Sequence, residues 1–140
     1  MNTPKRLGIV SAVVAAALVS APPAMAEQLP AGCSIGGRHL AAWAYYTTNG
    51  PNNQWYYFEG LIWGQSTGGK SNINIWVQYG GLEVWSHFSP DHVAHNTLYS
   101  VSPSLPVYTP AGSSFGYAKF EAIFDTSWDD PTCTATTVKV

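Results

Sequence analysis

Apolar and polar residues alternate along most of the chain after Glu27, and no stretch there repeats with the period of a helix. Gly, Pro and Asn interrupt the alternation at short intervals, as they do at turns between strands. The pattern predicts seven to eight strands, in the segments Ile35–Thr48, Gln54–Gly64, Asn72–Tyr79, Leu82–Phe88, Thr97–Val101, Leu105–Tyr108, Ser114–Thr126 and Cys133–Val140. The inner face of the segment after Ser114 is predicted to hold Gly116, Ala118, Phe120, Ala122 and Phe124.

This number of short strands within about a hundred residues is typical of an antiparallel β-sandwich, either Ig-like or jelly-roll-like. A small closed β-barrel is the alternative. No internal repeat and no linker divides the pattern, so residues 27–140 are predicted to form one domain.

The first residues have the composition of a secretory signal. Lys5 and Arg6 are followed by a small apolar stretch, Leu7–Ala21, and then by the A-x-A sequence Ala24–Ala26. Cleavage is expected before Glu27, so residues 1–26 are predicted to be removed and the mature protein is not expected to insert in a membrane. A short signal of this kind is typical of an exported bacterial protein.

The two cysteines, Cys33 and Cys133, are expected to form one disulfide, because an exported chain meets an oxidising environment. The alternative, a reactive thiol, would need a basic neighbour, whereas Cys133 follows Asp129-Asp130-Pro131. Closing a loop of about 100 residues stabilises a fold by about 4–5 kcal/mol in the chain-entropy view.

Charge and aromatic content narrow the possible partners. After residues 1–26 are removed, four basic residues remain against eight acidic ones, a net charge of −4. This balance argues against nucleic acid and anionic membrane surfaces, which select basic patches. The six Trp, eight Tyr and five Phe exceed what a core of this size needs, so part of this aromatic surface is expected to be exposed.

The segment from Asn72 to Phe88 predicts a hairpin that turns at Gly80-Gly81. A two-glycine loop can take positive φ at both positions, as a type I′ turn requires. A regular register from this turn pairs Tyr79 with Leu82, Gln78 with Glu83, Val77 with Val84, Trp76 with Trp85 and Asn74 with His87.

The two faces of this hairpin differ in chemistry. The predicted core face consists of Ile73, Ile75, Val77, Tyr79, Leu82, Val84 and Phe88, with Ser86 as its polar exception. The candidate binding face consists of Trp76, Trp85, Asn74, Gln78, Glu83 and His87. Indoles can stack on the C–H faces of sugars or anchor a protein interface, while polar neighbours fix orientation. Three interpretations stay open: a purely structural Trp pair, a protein interface and a glycan platform.

Two further aromatic segments, Trp43–Tyr46 and Trp55–Phe58, flank one Asn/Gly/Pro turn. Strict alternation would let the pairs Trp43/Tyr45 and Trp55/Tyr57 point outward together.

Metal chemistry has only weak candidates. Three of the four histidines crowd into one segment with a carboxylate, and these candidates are His87, Asp91, His92 and His95. A solvated polar loop explains them more simply, and the same holds for a Ca²⁺ site at Asp125, Asp129 and Asp130. No metal or other cofactor is expected.

Catalytic motifs are absent from the sequence: there is no G-x-S-x-G, no H-E-x-x-H and no P-loop. Carboxylates lie in strand patterns at Glu59, Glu83, Glu121 and Asp125, but their spacing selects no acid/base pair. We therefore expect a secreted, non-catalytic binding module whose partner is an extracellular glycan or a secreted protein. In the second case it would act as an adaptor subunit, a toxin component or an enzyme inhibitor. The alternative is a small extracellular enzyme with an unrecognised site.

Overall fold

The computed structural model describes residues 26–65 and 69–140. The predicted signal segment therefore lies, except for Ala26, outside the described residues. Within them the chain forms nine strands and no helix: β1 (Glu27–Ile35), β2 (Arg38–Asn49), β3 (Asn52–Gly64), β4 (Asn72–Tyr79), β5 (Leu82–Phe88), β6 (Tyr99–Val101), β7 (Val107–Pro110), β8 (Gly116–Ile123) and β9 (Thr132–Thr136). None of the described segments is a helix long and apolar enough to cross a membrane.

The strands form two antiparallel sheets. Sheet A has the order β1-β2-β3-β6, and β7 also pairs with β3. Sheet B has the order β5-β4-β8-β9. The sequence predicts seven to eight strands, and that number is too low because it omits β1. This strand, EQLPAGCSI, has three small residues (Ala31, Gly32 and Ser34) and a proline and shows little apolar alternation. It forms because β2 offers a complete ladder from Glu27↔Tyr46 to Ile35↔Arg38.

The core lies between the sheets, where the inner face of each strand meets the other sheet. Its largest fully buried apolar side chains come from both sheets and are Trp55, Phe58, Phe120, Phe124, Leu40, Ile62, Ile73, Ile75 and Val77. Each such side chain contributes about 1.5–3 kcal/mol by leaving water. The predicted inner face of β8 and Phe124 is confirmed, because all five of its residues are buried. One polar contact lies inside this core: Trp55 Nε1 donates a hydrogen bond to Thr109 Oγ1 at 2.9 Å.

The predicted disulfide is confirmed and joins the two sheets along one long edge. Cys33 lies in β1 and Cys133 in β9, with their Cα atoms 5.9 Å apart. Cys33 therefore lies within a strand, not in a segment preceding the first strand. At the start of the same β1 strand the Tyr46 hydroxyl donates a hydrogen bond to the Glu27 carboxylate at 2.6 Å, and burial raises the pKa of Tyr46 to about 12. The opposite long edge, where β5 lies beside β7, has no covalent link.

Candidate functional site

The β4–β5 hairpin begins as predicted and then changes register. Gly80 and Gly81 have φ of 57° and 84°, and the pairs Tyr79↔Leu82 and Gln78↔Glu83 are confirmed. The next pair is Val77↔Trp85, so Val84 is one extra residue in β5. Such a β-bulge moves every later residue of the bulged strand to the opposite face of the sheet.

The predicted Trp76–Trp85 pair is therefore wrong. Trp76 pairs with Ser86, and Trp85 turns inward to stack on Phe58 of sheet A, with ring centroids 5.0 Å apart and planes at 14°. The regular register would point Ser86 into the core and bury its hydroxyl, which costs free energy. The bulged register points Trp85 into the core instead, and burial of its indole is favourable.

The predicted Asn74–His87 pair is wrong for the same reason. His87 pairs with Ile75 and lies between the sheets, its ring parallel to Trp85 at 6.1 Å. Its Nε2 shares a hydrogen bond of 2.6 Å with the hydroxyl of Tyr99 on β6. Burial lowers the pKa of His87 below its ordinary value of 6.5 and raises that of Tyr99. These side chains tie β5 to sheet A.

The predicted core face of the hairpin is correct for three of its β4 residues and wrong for β5. Ile73, Ile75 and Val77 are fully buried, whereas Tyr79 is half-buried. The exposed fractions of the three apolar β5 side chains predicted for the core are 73% for Leu82, 43% for Val84 and 63% for Phe88. Ser86, the exception in the predicted stripe, is the one sequence signal that could have revealed the bulge.

The outer surface of sheet B keeps only part of the predicted site. We call it face B and define it by Trp76, Phe88, Tyr117 and Lys119. Trp76 meets Phe88 edge to face with centroids 5.7 Å apart, and the Lys119 ammonium lies 4.6 Å from the centroid of the Trp76 ring. Four of the six predicted site residues lie on or beside this face: Asn74, Trp76, Gln78 and Glu83. Trp85 and His87 do not.

Hydrogen bonds fix the polar side chains of face B. Asn74 Nδ2 donates to Glu121 Oε1 at 3.1 Å, and the Tyr117 hydroxyl donates to Gln78 Oε1. Lys139 extends this face beyond β9, and its ammonium lies 5.6 Å from the Tyr117 ring centroid. The face is thus a partly exposed aromatic surface with amides, ammonium groups and a carboxylate held in place.

The outer surface of sheet A carries a second and larger aromatic set. We call it face A and define it by Trp43, Tyr45, Tyr57 and Trp63, each half-buried by its neighbours. Tyr45 and Tyr57 face each other across β2 and β3 with ring centroids 5.3 Å apart. The prediction that Trp55 would join Tyr57 outside is wrong. Tyr56 is an extra residue in β3, so Trp55 turns inward opposite Tyr46 and is fully buried.

Polar groups lie between the aromatic rings of face A. Gln28 Nε2 donates a hydrogen bond to the Tyr45 hydroxyl at 2.6 Å. The Tyr45 hydroxyl in turn donates to Glu59 Oε2 at 2.7 Å. The bond to Glu59 raises the pKa of Tyr45. The sequence identified neither Glu59 nor Trp63 as part of a site, although period-two alternation from Tyr57 points to both.

One end of face A is formed by His39 and Trp63. Their rings stack with centroids 5.1 Å apart and planes at 21°, and Ser34 Oγ shares a hydrogen bond of 2.7 Å with His39 Nδ1. Contacts with neighbouring rings and polar groups therefore orient Tyr45, Tyr57 and Trp63 before any ligand arrives. Such a surface can stack on flat partners and exchange hydrogen bonds with their hydroxyl groups.

The histidine segment takes no metal-site geometry. Within residues 26–65 and 69–140 no group of three or more His, Cys, Asp or Glu side chains could hold a metal ion. Asp91 Oδ1 accepts a hydrogen bond from Asn72 Nδ2 at 2.8 Å, and His92 Nδ1 is bonded to the Gly69 carbonyl. The aspartates after β8 accept hydrogen bonds from backbone amides. Asp125 accepts from the amide of Lys70, in the loop before β4, at 3.1 Å, and Asp130 accepts from the amide of Thr126, in its own loop, at 3.2 Å.

An uncharged groove of about 300 Å³ runs along the open edge between β5 and the segment before β7. Its lining residues are Val84, Trp85, Ser104, Leu105, Pro106, Val107 and Tyr108. Leu105 is 76% exposed at its rim. The groove and faces A and B are the three partly apolar surfaces that we consider for binding.

Known proteins do not identify which of these surfaces is used: no family model, no curated protein and no solved structure matches this chain.

Proposed function

We propose that this protein is an exported, non-catalytic binding module that holds a neutral polysaccharide on face A. The observation that carries the proposal is the arrangement of Trp43, Tyr45, Tyr57 and Trp63 on the outer face of sheet A, with hydrogen-bonding groups between them. Indole and phenol rings accept the C–H faces of sugar rings. The Gln28 amide has a second N–H besides the one bonded to Tyr45, and the Glu59 carboxylate has further acceptor sites, so these two groups supply what sugar hydroxyls require.

Preorganisation supports this assignment. The Gln28–Tyr45–Glu59 chain and the His39–Trp63 stack fix side chains that a ligand would otherwise have to immobilise. Each side chain that is already fixed avoids an ordering cost of about 0.5–1.5 kcal/mol on binding. A partly exposed surface on the outside of a sheet also suits a long chain that cannot enter a closed pocket.

The wider setting of the proposal is extracellular. The Cys33–Cys133 disulfide is expected in an oxidising compartment, and residues 1–26 have the composition of a signal segment. We further propose that the two sheets form an open β-sandwich, Ig-like or jelly-roll-like, and not a closed barrel. In support, the ladders of the described strands form two separate paths, β1 to β6 and β5 to β9.

Retention on insoluble and immobilised neutral glycans (cellulose, chitin, starch, galactomannan) tests the proposal. We expect the unmodified protein to bind at least one of them and to change its tryptophan fluorescence. Loss of one stacking ring in Tyr57→Ala or Trp43→Ala should weaken binding about tenfold or more. Trp76→Ala, on the opposite side of the molecule, is the matched control and should bind as the unmodified protein does. Equal binding by all three variants would reject face A as the site.

The second candidate function is recognition of a secreted protein, as an adaptor, toxin component or inhibitor. It is favoured by the uncharged groove at the open edge, with Leu105 and Tyr108 exposed at its rim. Apolar and aromatic anchors in such a groove suit an extended, uncharged segment of a partner. A pull-down from secreted proteins of the producing cell should then return a stoichiometric partner with the unmodified chain. Leu105→Asp should abolish that recovery, whereas Tyr57→Ala should not.

A further inference from the structure

We propose that face B is a second binding site and that its ligand is an acidic polysaccharide carrying carboxylates, such as a polyuronate. This site is separate from face A, and it does not depend on neutral-glycan binding by that face. The two surfaces cover opposite sides of the molecule, because each is the outer surface of one of two packed sheets.

The first step of the inference is the position of the positive charges. Residues 27–140 contain four Lys and Arg side chains, and two of them, Lys119 and Lys139, extend over rings of face B. On face A the outward residues of β2 and β3 between His39 and Trp63 include the Glu59 carboxylate but no Lys or Arg. Residues 27–140 carry a net charge of −4, so face B is where an anionic ligand meets local positive charge.

The second step is the geometry at Trp76. Lys119 lies directly opposite Trp76 in the β4–β8 ladder, and its ammonium is 4.6 Å from the ring centroid. A cation–π contact at this distance keeps the ammonium over the indole ring. A sugar ring that packs against the part of Trp76 left uncovered by Lys119 would place a carboxylate substituent within reach of that ammonium, where a charge-assisted hydrogen bond can form.

The third step is the position of the competing carboxylates. Glu121 lies one row away along β8 and bonds to Asn74, while Glu83 lies opposite Gln78 at the hairpin end. Both therefore flank the Trp76–Lys119 row and do not occupy it. They would repel a carboxylate placed elsewhere on the face and so confine the ligand's acidic group to the row of Lys119. The half-buried Gln78 amide and Tyr117 hydroxyl lie beside this row, where sugar hydroxyls can reach them.

Affinity electrophoresis of the folded protein in gels containing polygalacturonate or alginate tests the proposal, with neutral galactomannan as the comparison gel. We expect the acidic gels to retard the unmodified protein and 0.5 M salt in the gel to abolish the retardation. Lys119→Met keeps the side-chain length and removes the charge, so it should weaken binding about tenfold or more. Lys119→Arg should keep binding within about threefold, and Trp76→Ala should lose it.

Lys70→Met, which removes a charge from the loop before β4, is the matched control and should bind like the unmodified protein. An unfolding curve for each variant separates loss of the site from loss of the fold. Absence of acidic-gel retardation, or retardation that Lys119→Met and Lys70→Met reduce equally, would overturn the proposal. The result is independent of face A, because Tyr57→Ala should leave acidic-gel retardation unchanged even if no neutral glycan binds.

Discussion

The two long edges of the molecule are held together by different means. At the β1/β9 edge the Cys33–Cys133 disulfide links the sheets covalently. At the β5/β7 edge the link is a set of side chains: Trp85 stacks on Phe58, and His87 shares a hydrogen bond with Tyr99. The first edge depends on two residues 100 positions apart, whereas the second depends on the register of a single hairpin.

This difference teaches where the molecule is adaptable. At the β1/β9 edge the disulfide holds β1 near β9, so β1 can form there although its sequence has only a weak strand pattern. The open edge must bring its own aromatic side chains inward, and it does so with a bulge at Val84. The same bulge exposes Val84 and Phe88, which contribute to the groove and to face B. At the β5/β7 edge one bulge therefore affects both the stability of the fold and the candidate binding surfaces. At the β1/β9 edge the disulfide stabilises the fold and takes no part in those surfaces.

Removing the disulfide at the β1/β9 edge should cause the greatest loss of stability. Replacing both cysteines, Cys33→Ser with Cys133→Ser, should reduce the free energy of unfolding by up to about 4–5 kcal/mol, because the unfolded chain regains the freedom of a long loop. Domains have a total stability of about 5–15 kcal/mol, so this loss would bring the fold near its limit. Urea unfolding monitored by circular dichroism measures it. An unchanged midpoint would mean that packing alone holds β1 on β9.

The next effect separates the two tryptophans of the hairpin. Trp85→Ala should cost about 2–3 kcal/mol, because it removes a half-buried ring from the Phe58 stack. Trp76→Ala should cost about 1 kcal/mol or less, because its ring lies on the outer face. The double variant should be additive within about 0.5 kcal/mol, since the two rings lie on opposite sides of the sheet. A clear coupling energy would favour the regular register and a Trp76–Trp85 pair.

A smaller effect is expected from removing the bulge. Deleting Val84 leaves Glu83 opposite Gln78 and Trp85 opposite Val77, so the faces of β5 stay as they are. We expect a loss of about 1 kcal/mol or less and an unchanged tryptophan fluorescence maximum. Deleting Ser86 is the matched control, because it moves His87 and Phe88 to exchanged faces and should cost more. The reverse ranking would contradict the bulge.

The smallest effect is the pH dependence of the open edge. Burial lowers the pKa of His87 below 6.5, so at mildly acidic pH the folded state binds fewer protons than the unfolded state. The contribution of His87 to stability is complete above pH 6.5 and is lost as the pH falls through its lowered pKa. Unfolding midpoints at pH 7.5, 6 and 5 should decline less steeply for His87→Gln than for the unmodified protein. Parallel declines would show that His87 does not titrate differently in the folded state.

Particular residues explain which parts of this picture were predictable. The Gly80-Gly81 turn and its first two pairs are local, so they could be read from the sequence and are confirmed. Lys119 could not be assigned to the site from the sequence, because it reaches the site only through the pairing of β8 with β4. The alternation within a strand does not reveal which strands lie beside it.

The all-β class, the disulfide, the first pairs of the hairpin and the buried stripe of β8 could be predicted from the sequence, because each follows from local periodicity, turn chemistry or cysteine count. Which tryptophans are buried depends on tertiary packing. Trp55 and Trp85 both turn inward at one-residue bulges, at Tyr56 and Val84, and both pack against rings from other strands. A bulge costs little free energy in the strand itself. It forms where the displaced side chain packs favourably against the opposite strand and sheet, so alternation alone could not predict its position.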